Sequence, residues 1–370
     1  MREATVSPAN RDCWLPKRLA SNLGVAALSA VLALALCEGL VRLIAPQAVR
    51  GVMFEYSARG YRVNRSEGMT RHQSDNVSAT YRYYPPHLRG APVPRDGLRV
   101  LVLGDSYTFG WLVDYSSSYV GQLQDSLNRA FGFGRMTLLD AAAGGMGTAV
   151  ELAFLEDYGD SVRPSVVIVF VSRDDFRRAA VSPLYRLVDT SAGILQSGSF
   201  PRNPVKEFLS RSKVFQFVFQ HSHLIQLGRR ALGDVIFGAH PASRPDSDQS
   251  VAPVTPTQQL LARALFRRMK AWAEARSARL AVINNGWREY DWLTDLLAQE
   301  RIPCFDATPE VRSAVAGHED RFIYPTDHHP NAAGHAVTAA AVWPFMHRFL
   351  ASFVPTADSV RQPTASAPPH

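Results

Sequence analysis

The chain has 370 residues, 46% of them hydrophobic and 20% charged, enough for one large domain with a full core. Its net charge of +7 does not point to nucleic acid: the 40 basic residues include four lysines (17, 206, 213 and 270), and the arginines are scattered rather than gathered into a stripe with interleaved aromatics. Cys13, Cys37 and Cys304 lie far apart, with neither metal-ligand spacing nor a disulfide framework.

The first element is a run of 19 uncharged residues, Leu19 to Cys37, rich in Ala, Leu and Val. At ~1.5 Å per residue it matches a hydrocarbon core of ~30 Å. Lys17 and Arg18 precede it; Glu38 and Arg42 follow. The run exceeds the ~7–15 residues of a cleaved signal's apolar region. It also lies too near the N-terminus for a buried core helix. Leu34-Ala35-Leu36 puts a bulky residue where a lipoprotein signal before Cys37 would need a small one. The reading is an uncleaved signal anchor over 19–45. Arginines lie on both sides of it, so orientation follows default signal-anchor behaviour. That puts 1–18 in the cytoplasm and the chain from 46 onward outside the inner membrane, in the periplasm.

Residues 46–97 mix aromatics, arginines and prolines and read as a largely irregular linker. Short continuous apolar runs then fall at 99–103, 136–140, 165–171, 279–284 and 302–305, as expected of parallel strands buried on both faces. Amphipathic stretches at 116–131, 147–161, 257–277, 289–300 and 332–351 alternate with them. This predicts an α/β domain over 98–352: a flavodoxin-like three-layer sandwich around a five-stranded parallel sheet. Residues 181–256 break the alternation. A helical stretch near 204–232 and a polar loop form an insertion that is either extra packing or a lid or substrate wall. The Pro-, Ser-, Thr- and Ala-rich end, 353–370, reads as a disordered tail.

The chemistry gathers at strand ends. Gly104-Asp105-Ser106-Tyr107-Thr108-Phe109-Gly110 follows the first strand and presents a serine in a glycine-flanked turn. Gly144-Gly145-Met146-Gly147-Thr148 follows the second, Ser172-Arg173-Asp174-Asp175 the third, and Asp327-His328-His329-Pro330-Asn331 the last. In an open α/β sheet all four reach the edge where sites form. A serine hydroxyl needs a base to become a nucleophile, the base needs a carboxylate to fix its tautomer, and the intermediate needs donors aimed at its oxyanion. Ser106, His329 and Asp327 supply the first three parts. Ser106 alone would also suit a helix start, where its hydroxyl caps backbone donors. His328 could substitute for its neighbour, and His335 reads as a packed histidine. The histidine cluster matches no zinc pattern, and Gly104–Gly110 lacks the ending of a phosphate loop. No metal or cofactor is expected. Trp287, Tyr290 and Trp292 read as core rather than as a sugar platform.

The four segments resemble the blocks of the SGNH/GDSL hydrolase family over roughly residues 98–350. The resemblance implies Ser106 as nucleophile, His329 as base and Asp327 as its partner, with the backbone N–H groups of Ser106 and Gly145 in the oxyanion hole. Pro330-Asn331-Ala332-Ala333-Gly334-His335 is also typical of members that carry a membrane anchor. Two departures stand out. The third block has Asp174 where the family offers an asparagine amide to the oxyanion. Asp174 is therefore a neutral acid, or has yielded that role to another donor, or marks a weakened enzyme. Asp327 stands two residues before His329 rather than three, similar to the Asp-x-His of alginate-type O-acetylation proteins. The resemblance thus implies a serine esterase acting on an acylated cell-envelope or exported glycan. A polysaccharide O-acetyltransferase, or a catalytically weak glycan-binding assembly protein, is the alternative. Partners would be the inner membrane, the glycan and polysaccharide-biosynthesis proteins, not nucleic acid.

Overall fold

Six consecutive apolar residues, Val166–Val171, are buried along their whole length, so both faces of the strand they form must be covered by other layers. A computed structural model of the chain describes residues 15–74, 77–172, 174–189, 192–231, 253–325 and 327–353. It opens with helix α1 (Leu15–Ile44), followed by strands β1 (Phe54–Tyr56), β2 (Arg62–Asn64), β3 (Gly68–Ser74), β4 (Val77–Tyr84), β5 (Leu88–Arg89) and β6 (Leu98–Leu103). Helices α2 (Ser106–Phe109) and α3 (Tyr119–Phe131), strand β7 (Met136–Asp140), helix α4 (Thr148–Val162), strand β8 (Val166–Val171) and helix α5 (Asp175–Val181) come next. The insertion carries a hairpin, β9 (Tyr185–Asp189) and β10 (Ile194–Ser197), and three helices, α6 (Pro204–Arg211), α7 (Lys213–His221) and α8 (His223–Ala231). The chain returns through α9 (Pro256–Glu274), β11 (Arg279–Asn284), α10 (Asp291–Gln299), β12 (Cys304–Asp306), α11 (Thr308–Val315) and α12 (Ala332–Ala351).

The parallel part of the sheet runs β7-β6-β8-β11-β12, the predicted five strands in doubly wound order. Alternate side chains feed two cores. Leu101, Leu103, Val167, Val169 and Val282 pack under α4, α9 and α10. Val100, Val102, Ile168, Phe170 and Ile283 pack under α3, α11 and α12. That alternation gives the three layers. Local signals agree: Thr255 and Gln258 close a capping box at the start of α9, and Asn331 caps α12 through Ala333 and Gly334.

Residues 46–97 are not the irregular linker expected. β5, β4 and β3 continue the sheet antiparallel beyond β7, making eight strands in the order β12-β11-β8-β6-β7-β5-β4-β3. In β4, Ala79, Tyr81 and Tyr83 are buried while Ser78, Thr80 and Arg82 are exposed. Backbone bonds from Gly51 to Arg71 and from Gln73 to Val49 lay a further extended stretch along β3. Arg89 is fully buried between the rings of Tyr81 and Phe109 and donates to the carbonyls of Gly110 and Val113.

Leu19–Ile44 of α1 is unburied, and long and apolar enough to cross a membrane. The predicted cytoplasmic stretch (for residues 1–14), the polar loop (for 232–252) and the tail (for 354–370) lie outside the described residues.

Candidate active site

β6 delivers the chain to Gly104, where a Cβ would collide with the Thr108 side chain. Glycine is thus required for the tight turn from strand into α2. Asp105 caps α2, accepting the Tyr107 N–H at 2.8 Å, and Gly110 closes it at φ 76°. Ser106, the first residue of the helix, is 6% exposed.

The Tyr324–Pro330 loop arrives from the other side of the fold. Tyr324 N–H bonds the His329 carbonyl at 2.8 Å, and His328 N–H bonds the Tyr324 carbonyl at 2.9 Å. The loop is tied to the serine turn twice: Tyr324 donates to Leu112 O (3.0 Å) and Tyr107 to His328 O (3.3 Å). His329 Nε2 then stands 2.8 Å from Ser106 Oγ across 223 residues of chain. Its Nδ1 faces Asp327, 3.5 Å from Oδ1 and 3.2 Å from the backbone carbonyl, while the backbone N–H of His329 bonds Oδ1 at 3.1 Å. With the Nδ1 proton directed at Asp327, Nε2 is left to accept from Ser106. Burial pulls the Asp327 pKa up, but the contacts and charge of His329 and a hydrogen bond from Trp111 outweigh it, and the carboxyl lies below its usual range.

Ser106, His329 and Asp327 are thus brought together. Gly145 sits in the turn after β7, at φ 82° with open space where a Cβ would be. That turn lies beside the serine turn, since Ala143 N–H bonds Gly104 O at 3.2 Å. Asp174 directs its carboxylate at two guanidiniums of its own helix, Arg177 Nε and Arg178 Nη2, each at 3.5 Å. His335 is buried, accepts from Tyr119 N–H, and is pushed down to about 3 by burial. Tyr290 is core, its hydroxyl on Ser172 O. Trp292 packs on Phe176, and Trp287 donates to Thr338.

Three residues escaped the sequence reading. Trp111 follows the serine motif directly; its ring lies 5.8 Å from that of His329. Arg50, from the supposed linker, stacks on Trp111 at 5.2 Å. Arg178 reaches from α5 to Asp105 Oδ2 (2.9 Å) and Met146 O (3.1 Å), joining the ends of three strands. Beside it, Glu151 and Asp175 are fully buried. Burial, then the charge of Asp105, lifts Glu151 well above its usual range; burial, then Glu151 and Asp105, does the same to Asp175. Burial thus disfavours charge on both acids, which lie beside the Asp105–Arg178 pair next to the serine turn.

No protein-family model and no curated protein matches the chain. Solved structures do. TesA is 15% identical over 68% of this chain and 99% of its own, with a TM-score of 0.39. A two-domain esterase (CEX) active on acetylated mannans is 17% identical over 70% of this chain, with a TM-score of 0.41; the match spans 51% of that protein. A lipolytic protein of the G-D-S-L family from Veillonella parvula is 10% identical over 68% of this chain and 100% of its own, with a TM-score of 0.37.

Proposed function

We propose that this protein is a membrane-anchored serine esterase of the SGNH/GDSL type, acting on acyl esters and above all on O-acetyl groups of a cell-envelope or exported glycan. The observation that carries the reading is the 2.8 Å approach of Ser106 Oγ to His329 Nε2, with Asp327 behind the imidazole. Ser106 attacks the acyl carbonyl as His329 takes its proton. His329 then protonates the departing alkoxide, and water attacks the acyl-enzyme with His329 again as base. The N–H groups of Ser106 and Gly145 hold the oxyanion. Asp327 fixes the tautomer and stabilises the imidazolium. The glycan assignment rests on the Asp327-His328-His329 spacing, and the periplasmic location on α1 acting as a signal anchor.

The test is p-nitrophenyl acetate turnover by the full-length protein in detergent. Ser106→Ala is expected to abolish it and to prevent acylation detected by mass spectrometry. Turnover unchanged by that substitution sinks the reading. Adding acetylated and unacetylated oligosaccharides then distinguishes released acetate from transferred acetyl.

A further inference from the structure

Two helices of the insertion, α6 and α7, turn large apolar side chains outward. In α6, Glu207 and Ser210 face the protein body, while Val205 (64% exposed) and Phe208 (71%) face outward. In α7, Gln216 and Phe219 are inward, while Val214 (74%) and Phe217 (64%) stand in the open. The inward polar groups have partners within the fold: Gln216 bonds Ser210 O and Arg65, and Gln226 of α8 bonds Phe219 O. A water-facing helix has the opposite polarity. Outward apolar faces on consecutive helices call for an apolar medium or partner.

What covers them follows from where the helices are tied. Glu38 of α1 accepts from Ser222 Oγ (2.8 Å) and from the N–H groups of His223 and Leu224 (2.9 Å each), at the junction of α7 and α8. Arg42 donates to the His221 carbonyl that ends α7, and Gln47 N–H bonds His223 Nδ1. Glu38 is the first charged residue after the uncharged run Leu19–Cys37. That run, at ~1.5 Å per residue, uses up one hydrocarbon thickness of ~30 Å. The α7–α8 junction is therefore held at headgroup depth. The exposed ring of Phe217 stacks on His221 next to this junction, and Leu43 and Ile44 of α1 are exposed beside it. Lys206, Arg211, Lys213, Arg229 and Arg230 add positive charge to the same helices, against one acid, Glu207, which is paired with Arg202. Cations beside an apolar face suit the headgroup–acyl boundary.

We infer that α6–α8 form an interfacial platform, with Phe208, Val214 and Phe217 inserted into the leaflet from which α1 emerges. This rests on the reading of α1 as a membrane span. The platform holds the catalytic layer at a set height and tilt over the bilayer.

The test uses the full-length protein in nanodiscs of phosphatidylcholine and phosphatidylglycerol. Cys13, Cys37 and Cys304 are replaced by serine, and a nitroxide is placed at Phe217→Cys, at Val214→Cys as a second exposed position, at Leu28→Cys within α1 and at Phe133→Cys, an exposed ring in the loop after α3. Oxygen and a water-soluble nickel chelate compete as relaxing agents. The expected result is an oxygen-to-nickel accessibility ratio several-fold higher at 217, 214 and 28 than at 133. A lipid-like ratio at 28 with a water-like ratio at 217 and 214 overturns the platform and leaves the anchor standing. A water-like ratio at 28 overturns the anchor reading itself. Positions 217 and 214 shielded from both agents mean coverage by protein, a second copy or another chain, and overturn the assignment to lipid.

Discussion

Arg178 Nη1 lies 2.9 Å from Asp105 Oδ2, one residue before Ser106, and the pair is enclosed by the buried carboxyls of Glu151 and Asp175. Removing the guanidinium leaves Asp105 buried among acids. Arg178→Met is expected to destabilise the fold by about 3–5 kcal/mol, measured by chemical unfolding. Arg178→Lys restores the charge but not the second nitrogen, Nη2, that faces Asp174, and is expected to recover part of that loss.

Asp327 faces Nδ1 of His329 and also accepts a hydrogen bond from Trp111. Asp327→Asn is expected to keep KM close to that of the parent while kcat falls by roughly 10³–10⁴-fold, because the imidazole loses its tautomer lock. Steady-state kinetics on p-nitrophenyl acetate give the answer. A comparable change in KM with kcat preserved contradicts the role.

Asp174 pairs with Arg177 and Arg178, and in the proposed chemistry its position is that of an oxyanion donor. Asp174→Asn removes negative charge from the rim of the site and adds a donor. If the proposed chemistry holds, kcat rises by about tenfold, the worth of one net hydrogen bond to a developing charge. A fall in kcat with unchanged folding would instead make the Arg177 and Arg178 contacts of Asp174 the important ones.

Asp140 ends β7, beside Arg89 in the register. Burial lifts its carboxyl from 3.8 to about 7, against the charge of Arg89 and a bond from Ala142 N–H. Between those values the folded state binds more protons than the unfolded one, so Asp140 makes stability decline as pH rises from about 4 to about 7. Asp140→Asn is expected to flatten part of that decline in unfolding curves taken across the range. Glu151 and Asp175 are shifted the same way, so a residual slope remains.

The five parallel strands were legible because burial on both faces leaves a plain signal, a continuous apolar run such as Val166–Val171. Ser106 and His329 were legible because few other chemistries use that pairing at strand ends. The sheet extension was not, although its alternation is present: Ala79, Tyr81 and Tyr83 hold the inward positions of β4, but tyrosines beside Arg82 and Ser78 read as surface. Arg89 was hidden for the same reason, since a guanidinium is buried only where carbonyls and rings are already assembled by distant segments. The partners of Asp174 sit three and four residues along its own helix and were open to a helical-spacing check. The polarity of α6 and α7 was harder. Periodicity reports that a helix has two faces, not which of them the protein body takes.

The antiparallel extension also bears on how the protein can be cut. A fragment begun at Leu98 would strip β7 of its neighbour, expose an unpaired ladder, and remove Arg89 from the carbonyls of Gly110 and Val113. The smallest piece that keeps the whole sheet starts ahead of Val49, just beyond the end of α1. Excision there would remove α1 and its contacts with the α7–α8 junction while leaving every strand of the sheet in place.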